Sequence, residues 1–413
     1  MKNKFLMVLI LLVSSLGLAQ DNVVIITPDQ DTRVITTGIP FALIATDARA
    51  AGLGDMGVAT SPDAYSQFWN ASKNVFSENQ SGVSLSYTPY LSKLVNDIGL
   101  ASLTYYNRFN ENSAFGVGFR YFSLGEIEST DNSGNSTGVI KPNEFTIDAS
   151  YSIRLSDQFG MGVGLRYLRS DLKIDTGNND NTVASTFSAD ITGYYQSEEQ
   201  AYSDFNGRWR GGFAIQNIGP KFKYDEAGIE NFQPTNLRLG GGFDFIFDEY
   251  NKLGVTAEFT KLLVPTPPVR GSRFEYTDVN DNGEYDAGTD VVIDDNPNYI
   301  IDGQDNDVPF LSGIFQSFGD APGGFKEELQ EFTYALGAEY VYQDAFSLRA
   351  GYFNEHETKG ARKFFALGAG FKYNVLNLDM SYLFSSSKVP SPLEGTLRFS
   401  LTFNLGAGEY DEY

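Results

Sequence analysis

The residues best suited to chemistry lie together in one stretch. Asp278, Asn280, Asn282 and Asp286 recur at the spacing of side-chain ligands in a calcium loop, Glu284 offers a backbone carbonyl between them, and Gly283 stands where such a loop turns sharply. The twelfth position, which a bidentate Glu normally closes, is Thr289, with Asp290 beside it. Calcium is therefore the candidate ion, against the plainer reading of a charged, solvated loop. No other cofactor is expected.

The remaining chemistry is narrow. The chain has no Cys, which excludes thiol catalysis, Cys-metal sites, disulfides and a lipid-bearing amino-terminal Cys. His356, in Asn354-Glu355-His356-Glu357, is the only histidine, so no multi-histidine metal site exists, and nothing marks a nucleophile or carboxylate to complete a triad around it. Gly52-Leu53-Gly54-Asp55-Met56-Gly57 has the glycine spacing of a dinucleotide fingerprint, yet its flanks, Asp47-Ala48-Arg49 and Ala59-Thr60-Ser61-Pro62, supply neither the preceding strand nor the following helix. It reads as a tightly turning segment. The expectation is a protein that is not an enzyme. A formal charge of -23 also argues against nucleic acid as a partner.

The elements that carry these residues alternate with a period of two from Gly82 to Leu405, as strands do and helices do not. Phe115, Val117, Phe119 and Tyr121 alternate with Gly116, Gly118 and Arg120; Leu397, Phe399, Leu401 and Phe403 alternate with Arg398, Ser400, Thr402 and Asn404. About fourteen such segments begin near Gly82, Asp97, Ser113, Asn143, Gln158, Ala184, Arg208, Thr235, Lys252, Glu331, Ala345, Arg362, Val375 and Gly395. Their second face carries Arg120, Asp148, Arg166, Asp190, Arg210, Arg238, Asp244, Glu258, Glu339, Arg349, Asp379 and Arg398, which a sandwich core could not desolvate cheaply and a polar or plugged lumen can. The fold expected is all-β: a transmembrane antiparallel barrel with short turns at one end and long loops at the other.

Two pieces fall outside the alternation. Residues 20–81 are too apolar and glycine-rich for a disordered arm and are expected to plug the lumen. Residues 262–330, opened by Pro265, Pro267 and Pro268, form a long extracellular insertion. Its carboxylates between Glu275 and Glu331 face only Lys326 as a local cation, which suggests a separate, solvated element. Inside it, Leu311, Ile314, Phe315 and Phe318 recur at helical spacing with Phe310 beside them, as a lid or a partner-binding face. Residues 1–19, with Lys2 and Lys4, the apolar run from Phe5 to Val13 and small residues at Gly17 and Ala19, read as a signal peptide. The barrel is then 82–405 and the tail 406–413.

The stretch from Ile35 to Asp63, through Gly38-Ile39-Pro40-Phe41, Asp47-Ala48-Arg49-Ala50-Ala51-Gly52-Leu53-Gly54-Asp55 and on to Gln67-Phe68-Trp69-Asn70, closely resembles the PorV proteins of the type IX secretion system. Those proteins are similar to the fatty-acid transporter FadL, with fourteen strands and an amino-terminal segment inside the lumen. The resemblance makes Pro40, Asp47, Arg49, Gly52, Gly54, Asp55, Trp69 and Asn70 plug residues. It departs at Ala71, where the family commonly has Pro, and in the tail after Leu405.

What the resemblance implies is a cargo receptor and shuttle in the outer membrane. Such a protein accepts cargo bearing a C-terminal secretion domain from a SprA or Sov translocon and delivers it to a PorU-type attachment peptidase complex, amid outer-membrane lipid and lipopolysaccharide. The alternative is a FadL-like channel for a hydrophobic small molecule, using a pocket around Phe41, Leu43 and Ile44.

Overall fold

The computed structural model describes residues 23–26, 32–92, 95–130, 133–172, 183–224, 228–387 and 394–407. The expected signal peptide, residues 1–19, and most of the expected tail lie outside the described residues. The chain forms two compact units, residues 32–266 with 306–413 and residues 1–31 with 267–305.

The larger unit is a closed antiparallel barrel. Its wall strands are β1 (Asn79–Pro89), β2 (Ile98–Asn110), β3 (Ser113–Leu124), β4 (Asn143–Arg154), β5 (Phe159–Asp171), β6 (Ala184–Gln196), β7 (Asn206–Ile218), β8 (Asn236–Ile246), β9 (Asn251–Leu262), β10 (Thr333–Tyr342), β11 (Phe346–Asn354), β12 (Lys363–Tyr373), β13 (Leu376–Ser385) and β14 (Leu397–Ala407). Each pairs with its neighbour in sequence, and β1 pairs with β14 to close the ring. These fourteen strands are the alternating segments of the sequence. The outward faces expose Leu103, Phe119, Val163, Phe187, Leu336, Leu367 and Phe399, while Ser84, Thr104, Arg120, Asp148, Arg166 and Arg398 are buried inward. A lipid bilayer accepts such an outer face, and ring closure leaves no backbone group unpaired at membrane depth. No helix among the described residues is long and apolar enough to cross a membrane. The chain is an outer-membrane β-barrel.

Two boundaries differ from the expected ones. β1 begins at Asn79, because Asn79-Gln80-Ser81 extends the ladder to Ala407 without any apolar residue to signal it. The last strand likewise runs through Gly406 to Ala407.

The acidic insertion is not one solvated element. Residues 306–332 belong to the barrel unit and hold two short helices, Phe310–Gln316 and Gly324–Gln330. Glu327, Glu328 and Glu331 are buried there, because their cations come from elsewhere in the chain, as described below, and Asp320 is buried beside them with hydrogen-bond donors in place of a cation. Residues 267–305, with 23–26, form the smaller unit, a three-stranded antiparallel sheet in which Val269–Thr277 lies between Val23–Ile26 and Val291–Asp302.

Candidate functional site

Residues 32–78 supply a large share of the barrel's buried apolar interior. Short elements form here because side chains cap them: Asp47 accepts from Ala50 N at 2.7 Å to start the helix Ala48–Gly52, and Asn70 accepts from Ser72 N at 3.2 Å to start the turn Ala71–Phe76. Gly54 sits at a φ of 89°, and a Cβ there would lie 2.8 Å from the carbonyl oxygen of Tyr352, so the chain can pass β11 only as glycine. Pro40 opens a short 3-10 turn to Leu43.

The segment bonds to the wall on all sides. Ala48 N donates to Ser400 of β14 at 2.7 Å, Gly57 N and Val58 N donate to Glu258 of β9 at 2.8 and 2.9 Å, and Asn70 Nδ2 donates to the Gly193 carbonyl of β6 at 2.9 Å. Ser152 of β4 donates to the Ala71 carbonyl at 2.7 Å and Gln216 of β7 to the Phe68 carbonyl at 2.9 Å. The segment thus meets five strands around the closed ring, four through inward side chains and β6 through a backbone carbonyl, as the expected plug would.

Its charges interlock with those of the wall. Arg49 grips Glu339 through Nε at 3.0 Å and Nη2 at 2.7 Å and reaches Asp63 at 2.6 Å; Arg349 then bridges Glu339 and Asp379, each at 2.6 Å. Asp55 pairs with Arg398 at 3.0 Å. Arg238 pairs with Glu258 at 2.9 Å and lies 4.9 Å over the Trp69 ring. Asp47 takes no wall cation; its second oxygen accepts from Trp69 Nε1 at 2.8 Å. Gly52 packs where a Cβ would meet Gly368 at 3.1 Å. Asp63 and Lys73 complete the set without having been marked in the sequence; Lys73 Nζ donates to the Gly57 carbonyl at 2.9 Å. Buried ions survive only when paired in this way, so the arrangement fixes the segment in place.

The long-loop end carries a second constellation. Lys261, the penultimate residue of β9, bonds Glu328 at 3.1 Å and also Glu331; Lys359 bonds Glu327 at 2.7 Å and Glu331 at 2.8 Å; Arg33 bonds Glu327 at 2.6 Å. The last turn of the insertion is thus bolted to β9, to the turn after β11 and to residue 33. These cations hold the Glu327 carboxyl down at about 2 against the cost of its burial. Burial pushes Asp320 up to about 6, although it accepts from Thr266 N at 3.0 Å.

The two helices of this segment, the second of which carries Glu327 and Glu328, also turn apolar side chains outward. Leu311, Phe315 and Phe318 are exposed, Phe315 at 76%, while Phe310 and Ile314 are half-buried and Gly313 faces inward. Phe325, exposed at 78%, and Leu329 repeat the pattern on the second helix, at a spacing of four that was legible but unremarked in the sequence.

Within the same unit a cavity of about 780 Å³ lies between residues 34–44 and the wall, lined by Phe41, Ile44, Tyr90, Ile98, Phe122 and Phe353. Its charged margins are paired internally, as in Arg362 with Glu355 at 2.8 Å.

In the smaller unit, Asp278 accepts from Gly283 N at 2.7 Å, Asn282 from Glu284 N at 2.8 Å, and Asp286 from the side-chain amides of Asn280 and Asn282 at 2.8 and 2.6 Å. Asp290, outside the expected ligand set, is buried and accepts from Val279 N and Asp286 N at 3.0 and 2.7 Å. No group of three or more His, Cys, Asp or Glu placed to hold a metal occurs among the described residues.

Residues 27–269 match the family described as type IX secretion system protein PorV. No curated protein matches the sequence. Among solved structures, a deltaS2S3 mutant of the TodX monoaromatic hydrocarbon channel is similar with a TM-score of 0.50 at 10% identity, covering 87% of this chain and 99% of that one. The P. putida toluene transporter TodX is similar at 0.47 and 11%, over 88% and 99%, and a Pseudomonas aeruginosa FadL homologue at 0.42 and 12%, over 90% and 99%. At such identity the first likeness is one of fold alone.

Proposed function

The chain belongs to the PorV family of type IX secretion system proteins, and from that membership we propose that it accepts cargo proteins by their C-terminal secretion domain from the SprA- or Sov-type translocon and hands them to a PorU-type attachment complex. The observation that carries this reading is the pairing of an occupied lumen with exposed apolar helices at the long-loop end. A lumen fixed by Arg49, Glu339, Arg349 and Asp379 is unsuited to passing a folded or extended protein, whereas Leu311, Phe315 and Phe318 form a surface that gains by being covered. Cargo is then held outside the barrel, with Phe310 and Ile314 shaping the edge of that surface, and the role needs no catalysis. The lumen residues act as a plug that keeps the outer membrane sealed while cargo is exchanged. The smaller unit adds calcium at Asp278, Asn280, Asn282, Glu284 and Asp286, which orders its loop without taking part in transport. The test is cargo secretion in cells carrying Phe315→Asp with Phe318→Asp, scored beside recovery of the translocon and cargo with the purified barrel.

The second reading, a FadL-like channel for a hydrophobic small molecule, is favoured by the cavity of about 780 Å³ and its aromatic lining. Uptake assays of an apolar tracer, which leave protein secretion untouched, separate the two.

A further inference from the structure

In the smaller unit the outer edge of Val291–Asp302 pairs with no strand among the described residues, and its first eight residues are exposed on both faces. Such an edge is a row of N–H and C=O groups ready to form a ladder with another extended chain. Two features limit what it accepts. Pro297 has no N–H to donate, so the usable edge is Val291–Asn296. Residues 267–305 also carry ten carboxylates against Arg270 and Arg273, and both arginines are already paired, with Asp305 at 3.1 Å and Glu275 at 2.9 Å. Asp294 and Asp295 stand at the middle of that edge with no salt bridge to any cation among the described residues.

The charges act in two ways. They repel a second copy of the same edge, so the strand does not self-associate. They also attract a chain that sets Lys or Arg opposite them, since opposite charges across a ladder stabilise it. Val291, Val292 and Ile293, exposed beside the acidic pair, add apolar contact to the same incoming segment.

We propose that Val291–Asn296 is a strand-addition site for an extended, cationic segment of another protein, with basic side chains meeting Asp294 and Asp295 and apolar ones meeting Val291 to Ile293. The site does not depend on the cargo reading.

The full-length protein in mild detergent is titrated with a fluorescent peptide in which two adjacent Lys precede a run of Val, so that one Lys meets Asp294 on one face and the other meets Asp295 on the opposite face, and with the same peptide N-methylated on alternate residues, which keeps charge and removes ladder donors. Binding to the Val-Lys peptide should fall by about tenfold or more on N-methylation, from the loss of several main-chain hydrogen bonds. The variant Asp294→Asn with Asp295→Asn, both at exposed positions, should weaken the unmodified peptide comparably. Equal binding of the N-methylated peptide would show charge attraction alone and overturn the proposal, as would undiminished binding to the Asn variant.

Discussion

Arg49 and Glu339 meet fork to fork inside the barrel, with Nε to Oε1 at 3.0 Å and Nη2 to Oε2 at 2.7 Å, although the two residues are 290 positions apart in the chain. Paired bonds of this kind fix orientation as well as distance. Glu339→Gln removes the charge that both Arg49 and Arg349 face. Breaking a buried pair costs about 3–5 kcal/mol, and the lower end applies here because Asp63 and Asp379 remain. The parent protein in planar bilayers should conduct little, and Glu339→Gln should show more frequent openings and a lower unfolding temperature. Large steady currents through the parent would mean that the lumen segment does not seal it.

Phe315→Asp with Phe318→Asp should leave barrel assembly normal and abolish secretion, because both side chains are exposed and support no core. Burial of each against a partner is worth about 1.5–3 kcal/mol, enough for the pair to decide whether a complex survives purification. Normal secretion with normal partner recovery would reduce the helices to a lid.

The segment 306–332 should be most stable in mildly acidic solution. Asp320, raised to about 6, favours the protonated folded form, so its contribution declines as pH rises from the unfolded carboxylate range through 6. Glu327, lowered to about 2, contributes fully above the ordinary Glu range and is lost as pH falls through 2. The two overlap between about 4.5 and 6. The protection factor of this segment, its hydrogen exchange corrected for the steep rise of the intrinsic amide rate with pH, should therefore be larger at pH 5 than at pH 7.5, and Asp320→Asn should flatten that difference. An unchanged profile in the Asn variant would remove Asp320 as its source.

Calcium should protect residues 265–305 from protease and leave the barrel unaffected, and Asp278→Ala with Asp286→Ala should erase the protection. Identical digestion of the parent in calcium and in chelator would eliminate the site.

The wall was legible because its period of two is written in every strand, and so were the inward charges. Their partners were not: nothing local in the sequence links Arg49 to Glu339, or Lys261 and Lys359 to Glu331. For the same reason Glu327, Glu328 and Glu331 read as solvated, when distant cations allow their burial. The hairpin of the smaller unit escaped notice because Val291-Val292-Ile293 is consecutive and exposed on both faces, so no alternation marks it. Within the lumen, helices of four or five residues are set by caps and wall contacts rather than by periodicity.

Arg33 is anchored at the long-loop end, by Glu327 and by the Thr358 carbonyl at 3.1 Å, and the Ser77 carbonyl is held by Arg108 near the short turn that ends β2. The chain between them runs the full height of a ring that β1 and β14 seal. Threading that ribbon through a finished cylinder would require every one of its ion pairs to be made in a space with no slack. Laying the ribbon down while the sheet is still open, with the meeting of the first and last strands as the final seam, is the order of assembly that avoids that constraint.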